Sequence, residues 1–308
     1  MIYDLIIIGG GPAGTAGAIY AARKRLNTLF LTDEFGGQSI VSDKIHNWIG
    51  TVEISGAKLA EDFRNHVLAN VSDKFEVKEG LRVSNVSKNG DIFKLKTESG
   101  EEYETKTILI TTGSKRRKLE IKNADKLEHK GLTYCATCDG PMFTGADVAV
   151  IGGGNAAFES ASQLLAYCNS VTLFNRSNSF KADEITMEKL LKNPKMKAIK
   201  NIELLEVLGD KFVEGITYKD LKTGELKELK VSGIFVEIGQ IPNTEFVKDI
   251  VPLDKIGRIK IDPWTGKTEI AGIWAAGDCT NILYHQNNIA AGDAVKALED
   301  IYLNLNAR

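Results

Sequence analysis

Charge of one sign is in short supply in this chain. Its 39 basic and 41 acidic residues leave a formal net charge of −2 over 308 residues, so nothing points to nucleic acid or an anionic membrane as a partner. Cysteine is scarce as well. Four cysteines exclude a disulfide-stapled scaffold. The four histidines, His46, His66, His129 and His285, make no metal-ligand spacing, and no metal site is expected. Apolar runs such as Leu5 to Ile8 fall far short of the ~20 residues needed to span a bilayer. Low-complexity tracts are missing. The first strand begins within Met1–Asp4, which leaves no room for a cleavable leader and makes a cytoplasmic location the expectation.

What is present is ordinary in bulk, with 43% hydrophobic and 26% charged residues, and long enough for two domains. Its organisation is specific. Asp4 to Ile8 reads as a buried parallel strand. Gly9-Gly10-Gly11-Pro12-Ala13-Gly14 follows as a turn, Thr15 to Arg25 as a small-residue helix, and Asn27 to Thr32 as a second strand ending at Asp33-Glu34. That is one βαβ unit of about 30 residues. The pattern recurs. Asp147 to Ile151 is a strand, Gly152-Gly153-Gly154-Asn155-Ala156-Ala157 the turn, Phe158 to Tyr167 a helix and Ser170 to Phe174 a strand. β-rich stretches follow each unit: a hairpin around Asn89-Gly90 in the first half, and Ile202 to Val231 in the second. Thr107 to Thr111 ends at Thr112-Gly113, Ile234 to Gly239 leads into a linker-like 240–244, and Asn288 to Leu305 closes the chain as a helix.

The expected fold is therefore α/β, with two Rossmann-like dinucleotide-binding domains of three-layer ββα type. The second is inserted into the first: residues 1–114 and 245–308 form one domain, and 115–244 the other. The two chain crossings would serve as a paired hinge.

Gly9, Gly11 and Gly14 match G-x-G-x-x-G. The glycines allow the tight turn, the approach of backbone to a pyrophosphate, and close helix–strand packing. Asp33 or Glu34 is placed for ribose hydroxyls. Gly152, Gly154 and Ala157 match the G-x-G-x-x-A variant, but its second strand ends at Asn175-Arg176-Ser177, with no acid. A cation there accepts a 2′-phosphate, so Arg176, with Lys181 nearby, favours NADPH over NADH. Cys135 and Cys138 form a CxxC without a second ligand pair for zinc, and a redox disulfide is the reading favoured over two inert thiols. Asp139 adds a carboxylate able to move protons as a thiolate forms and leaves. Cys168, on the expected helix, and Cys279 read as structural.

The motifs GGGPAG, FGGQ, HNWIG, CATCDG, GGGNAA, GQIPNT and AAGDCT, in this order, span essentially the whole chain. The set resembles the low-molecular-weight thioredoxin reductases. FGGQ, CDGPMF and the Cys-Thr after AAGD are similar to the C-terminal portion of the alkyl hydroperoxide reductase flavoprotein subunit. The resemblance implies FAD in the first domain, held at Gly9, Gly11, Pro12, Ala13 and Gly14. Gly37, Gln38 and Asn47 would line the flavin, with Thr112, Gly113, Gly277, Asp278 and Gln286 also on the FAD side. It implies a nicotinamide nucleotide on Gly152, Gly154, Asn155, Ala156 and Ala157, with Cys138 facing the flavin, Cys135 attacking the partner and Asp139 as acid/base. Asn175-Arg176-Ser177 departs from the family's arginine-rich triplet, so NADH is the alternative donor. His285 stands where a cation usually precedes the flavin-contacting Gln. The implied partner is thioredoxin or a thioredoxin- or glutaredoxin-like protein, and the implied assembly a homodimer. An NAD(P)H oxidase or small-molecule dithiol oxidase of the same architecture, a reductase fed by ferredoxin, and a non-enzymatic flavin-binding protein remain open.

Overall fold

The computed structural model describes residues 1–42 and 44–306. It divides into two compact units, Met1–Lys115 with Ile241–Arg308, and Arg116–Gln240.

The apolar start of the chain forms the central strand of the first unit, Ile2–Gly10. It lies parallel to Thr28–Phe35 on one side and to Glu102–Ile110 on the other. Leu5, Ile6 and Ile7 have no exposed surface. A strand covered on both faces needs apolar side chains on both, which is why this run does not alternate. Phe75–Glu79 extends the sheet beyond Thr28–Phe35. Beyond Glu102–Ile110 the pairing turns antiparallel, through Ile92–Thr97 and Val83–Asn89, and Ile273–Ala275 joins Glu102–Ile110 in parallel. One face is covered by the helices Pro12–Arg23 and Asn287–Asn306. Ala18, Ala21, Ala294 and Ala297 are fully buried between them and the sheet. The opposite face packs against a second core containing Val86, Phe93, Leu95, Val247 and Ile259.

The second unit repeats the plan. Its parallel sheet runs Met196–Lys200, Ser170–Asn175, Asp147–Ile151, Gly233–Val236, Leu132–Thr133. A separate antiparallel sheet joins Ile202–Leu208, Gly215–Asp220 and Leu226–Lys230. Strand order reverses between Asp147–Ile151 and Gly233–Val236, and such a reversal opens a crevice at the carboxyl ends of the strands. The architecture is mixed α/β with two Rossmann-like units.

Local differences from the sequence reading have simple causes. The helix after the second glycine turn is Asn155–Leu164, not Phe158 to Tyr167, because the turn feeds the helix directly, with Gly154 in the N-cap position. Cys168, expected on that helix, lies just past the turn that ends it, fully buried. Gln240–Pro242, read as linker-like, is a short strand.

Candidate functional site

The first unit gathers chemistry at the carboxyl ends of its parallel strands. Gly14 is the tightest point of the first turn. A Cβ placed there would lie 1.7 Å from the Gly9 carbonyl oxygen, so the helix Pro12–Arg23 can start where it does only with glycine at this position. Gly11 and Gly37 face each other with bare backbone, and a Cβ on Gly11 would meet nothing nearer than the Gly37 Cα at 4.0 Å. This is a slot lined by main chain, open to an anion at a helix N-terminus. Pro12 opens the helix, and Ala13 and Gly14 are buried. The Thr15 hydroxyl, buried one residue further on, has no hydrogen-bond partner among the described residues.

Residues distant in sequence also pair within the first unit. Gln38 Nε2 donates to Asp278 Oδ2 at 3.4 Å and to Ser114 Oγ at 3.3 Å. Asn47 Nδ2 donates to Gln286 Oε1 at 3.1 Å, and Asn288 Nδ2 donates to the Asn47 carbonyl at 2.7 Å. A Cβ on Gly277 would touch Ala13 Cβ at 3.4 Å, which brings Asp278 beside the first turn. The Thr112 hydroxyl donates to the Asn243 carbonyl, while Asn243 donates through its side chain to the Thr112 carbonyl and through its backbone to Gly113. His285 Nδ1 lies 3.2 Å from Asp278 Oδ1. That buried nitrogen has no aligned hydrogen-bond partner among the described residues. Asp33 pairs with the Arg82 guanidinium, whereas Glu34 is exposed and outside any ion pair among the described residues.

In the second unit the glycine turn follows Asp147–Ile151, and the segment containing Lys181 folds back over it. Lys181 N donates to the Gly153 carbonyl at 2.7 Å, and Asp183 N donates to Asn155 Oδ1 at 2.8 Å. Asn175 ends the neighbouring strand buried, its amide donating to the Ser177 and Ser179 carbonyls. Arg176 is exposed, beside Asn175 and outside any ion pair among the described residues. Ala156 is exposed and Ala157 buried in the first turn of the helix.

Cys135 and Cys138 are joined by a disulfide, with Cα atoms 5.3 Å apart. Leu132–Thr133 delivers Cys135 to the start of the short helix Ala136–Asp139, where Cys138 N donates to Cys135 Sγ at 3.1 Å. After reduction, the same N–H would stabilise a thiolate on Cys135. Cys135 is half-buried and Cys138 exposed. Asp139 is half-buried and accepts a hydrogen bond from the Thr133 hydroxyl. Burial pushes its carboxyl above the usual carboxylate range, against the opposing pulls of Thr133 and His129. Cys168 and Cys279 are both buried. Burial raises both thiols, Cys279 to about 11, so neither forms a thiolate at neutral pH.

Sequence reasoning passed over three groups. Thr133 carries no motif. Ser114 and Asn288 touch the first-unit cluster but sit outside the glycine patterns. Glu237 follows Gly233–Val236 directly beside Gly152. It accepts a 2.6 Å hydrogen bond from Ser160, lies 3.9 Å from Arg116, and burial raises its carboxyl above the ordinary range. Among the described residues, no cluster of three or more His, Cys, Asp or Glu is arranged to hold a metal ion, and no helix is long and apolar enough to cross a membrane.

The chain is similar to an NADH dehydrogenase of Bacillus subtilis, with 38% identity over 295 residues, 96% of this chain and 57% of the relative. It is 39% identical over 297 residues to an alkyl hydroperoxide reductase subunit of Staphylococcus aureus, again covering 96% of this chain and 57% of the relative. It thus spans little more than half the length of these relatives. The crystal structure of thioredoxin reductase from Streptococcus pyogenes superposes with a TM-score of 0.90 at 32% identity, covering 100% of this chain and 99% of that one. Residues 3–294 match the pyridine nucleotide-disulphide oxidoreductase family, and the chain is a member of it.

Proposed function

We propose that the chain is a flavin-dependent disulfide reductase, carrying electrons from NAD(P)H through FAD and the Cys135–Cys138 pair to the disulfide of thioredoxin or a thioredoxin-like protein. One observation carries the reading. The redox disulfide and its proton-handling neighbour Asp139 rise from a strand of the same parallel sheet that bears the second glycine turn.

The residues present fit both nucleotides. The main-chain slot between Gly11 and Gly37, with the orphaned Thr15 hydroxyl, suits a diphosphate. Glu34 would take the ribose, and the cluster of Gln38, Asn47, Asp278, His285 and Gln286 would meet the ring system and its side chain. Thr112 and Gly113 would close the slot from the neighbouring strand. Bound there, FAD would supply two-electron chemistry between a nicotinamide and a disulfide. Gly152, Gly154, Asn155, Ala156 and Ala157 would hold the nicotinamide nucleotide. The protein's own chemistry then runs in two exchanges. The Cys135 thiolate attacks one sulfur of the substrate disulfide, and the other sulfur leaves with the proton of Asp139. The resulting carboxylate takes the proton of Cys138, whose sulfur attacks Cys135 and expels the first substrate sulfur as a thiolate. The dithiol loses two electrons and the substrate gains them. The reading includes a cytoplasmic homodimer, which sedimentation of the purified protein tests.

Anaerobic titration with NADPH and with NADH, followed by oxidised thioredoxin, tests the function. The disulfide should take up the first equivalent of donor, and the yellow absorbance should bleach with the second and return as thioredoxin is reduced. A folded protein that takes up no FAD overturns the reading. So does a bleached flavin that reoxidises with oxygen but never with a protein disulfide.

Donor choice rests on Arg176 and, through its place over the turn, Lys181. An arginine–phosphate pair is charge-assisted, but Arg176 is exposed. Its loss should therefore cost about 1–2 kcal/mol, roughly 5- to 30-fold in the KM for NADPH. The KM for NADH should hardly move in Arg176→Ala. The name of the Bacillus relative favours NADH instead. A wild type that already prefers NADH, or an unchanged NADPH KM in the variant, would reduce Arg176 to a surface cation.

A further inference from the structure

We propose that Thr133 is a positioning residue that holds the Asp139 carboxyl in place for proton transfer during disulfide exchange. The inference rests on the disulfide-reductase reading and on Asp139 as its acid/base. Thr133 ends the strand Leu132–Thr133, two residues before the first redox cysteine. Its hydroxyl donates to Asp139 Oδ2 and accepts from the Cys135 backbone N–H at 3.4 Å. The backbone of the attacking cysteine and the side chain of the acid are thus tied to one hydroxyl. Thr133 is itself buried, and Phe235 is its neighbour in the adjacent strand. The hydroxyl is therefore fixed by the sheet, while the Ala136–Asp139 helix it holds is a single short turn.

The tie has an electrostatic consequence. A hydroxyl donating to a carboxylate favours the ionised form. Burial opposes this and dominates, so Asp139 stays above the ordinary carboxylate range. The charged or titratable group that acts on it besides Thr133 is His129, from the turn before the strand. Removing the hydroxyl takes away one of the two pulls toward ionisation. The acid should then stay protonated to higher pH but be less well aimed.

The leaving sulfur decides where this matters. An aliphatic thiolate is a poor leaving group and gains from a proton supplied as it departs. An aromatic nitro-substituted thiolate leaves readily without one. The test uses holoenzyme reduced by NAD(P)H and two probe disulfides, hydroxyethyl disulfide and dithiobis(nitrobenzoate). Thr133→Val keeps the shape and suits a strand. It should slow exchange with hydroxyethyl disulfide several-fold and move the alkaline limb of that pH profile upward, slowing the aromatic disulfide much less, since its thiolates depart without a proton from Asp139. Thr133→Ser, which keeps the hydroxyl, should restore both rate and profile. Equal slowing with both probes, or a Thr133→Ser variant no better than Thr133→Val, overturns the proposal and makes Thr133 a packing residue. Asp139→Asn separates the two levels of inference. If it loses the alkaline limb while Thr133→Val leaves that limb in place, Asp139 is the acid and the positioning role of Thr133 fails. If it behaves as wild type with both probes, the acid/base reading of Asp139 falls, and the role of Thr133 with it.

Discussion

Cys135→Ser should abolish turnover with a protein disulfide, by on the order of a thousand-fold or more, while the donor still bleaches the bound flavin at the wild-type rate. The separation follows from where the two chemistries sit. The two glycine turns, at Gly9 to Gly14 and Gly152 to Ala157, make no use of the cysteine sulfur. A serine hydroxyl has too high a pKa to supply an anion at neutral pH and cannot close a disulfide with Cys138. The N–H of Cys138 that stabilises sulfur at position 135 then has only a neutral hydroxyl to serve. Neither remaining cysteine can substitute. Cys168 and Cys279 are buried, with thiols raised by that burial. Native thiol titration of the reduced proteins should therefore find two reactive sulfurs in the wild type and one in the variant. Rapid-mixing absorbance gives the flavin half of the result and insulin-coupled thioredoxin reduction the other. If Cys135→Ser and Cys138→Ser both reduce thioredoxin at the wild-type rate, the pair is not the relay.

Much of the fold could be read from the sequence because each Rossmann-like unit announces itself locally. An unbroken apolar strand, a glycine turn and a small-residue helix lie within one stretch of chain, and Asp147–Ile151 ends where the pattern says it should. The outer strands were not legible. Phe75–Glu79 and Met196–Lys200 are sheet edges with polar residues mixed in, and such short half-exposed stretches look like loop. The site divides in the same way. Cys135, Cys138 and the glycines are legible from spacing. The pairs Gln38–Asp278 and Asn47–Gln286 join opposite ends of the chain, and no local pattern links them; resemblance to a family placed them on one cofactor. Thr133 and Glu237 stayed hidden because their significance is a burial and a partner, and neither burial nor partner is encoded at the position itself.

Two Gly→Ala changes in the same unit should have opposite signs. At Gly14 a methyl group would sit 1.7 Å from the Gly9 carbonyl oxygen and 2.8 Å from Thr111 Oγ1. The nearer atom is backbone of the turn itself, so the helix start or the Gly9 peptide must shift. A displacement of that size should cost about 4 kcal/mol or more and disorganise the N–H groups at the helix start, which would face a diphosphate. Gly14→Ala should thus purify colourless, with FAD affinity weakened on the order of a hundred-fold, and melt earlier because it also loses stabilisation by bound ligand. Gly292 sits inside the helix Asn287–Asn306, exposed, with nothing within 4 Å of the place a methyl group would take. There alanine only removes backbone freedom from the unfolded chain, and Gly292→Ala should stabilise by about 0.5–1 kcal/mol with the flavin retained. Absorbance spectra of the purified proteins and their thermal unfolding with and without added FAD measure both. Binding of an adenine dinucleotide to the second unit should survive in Gly14→Ala, which separates loss of one cofactor turn from general collapse. A yellow Gly14→Ala protein with wild-type affinity would mean that the first turn is not where FAD binds.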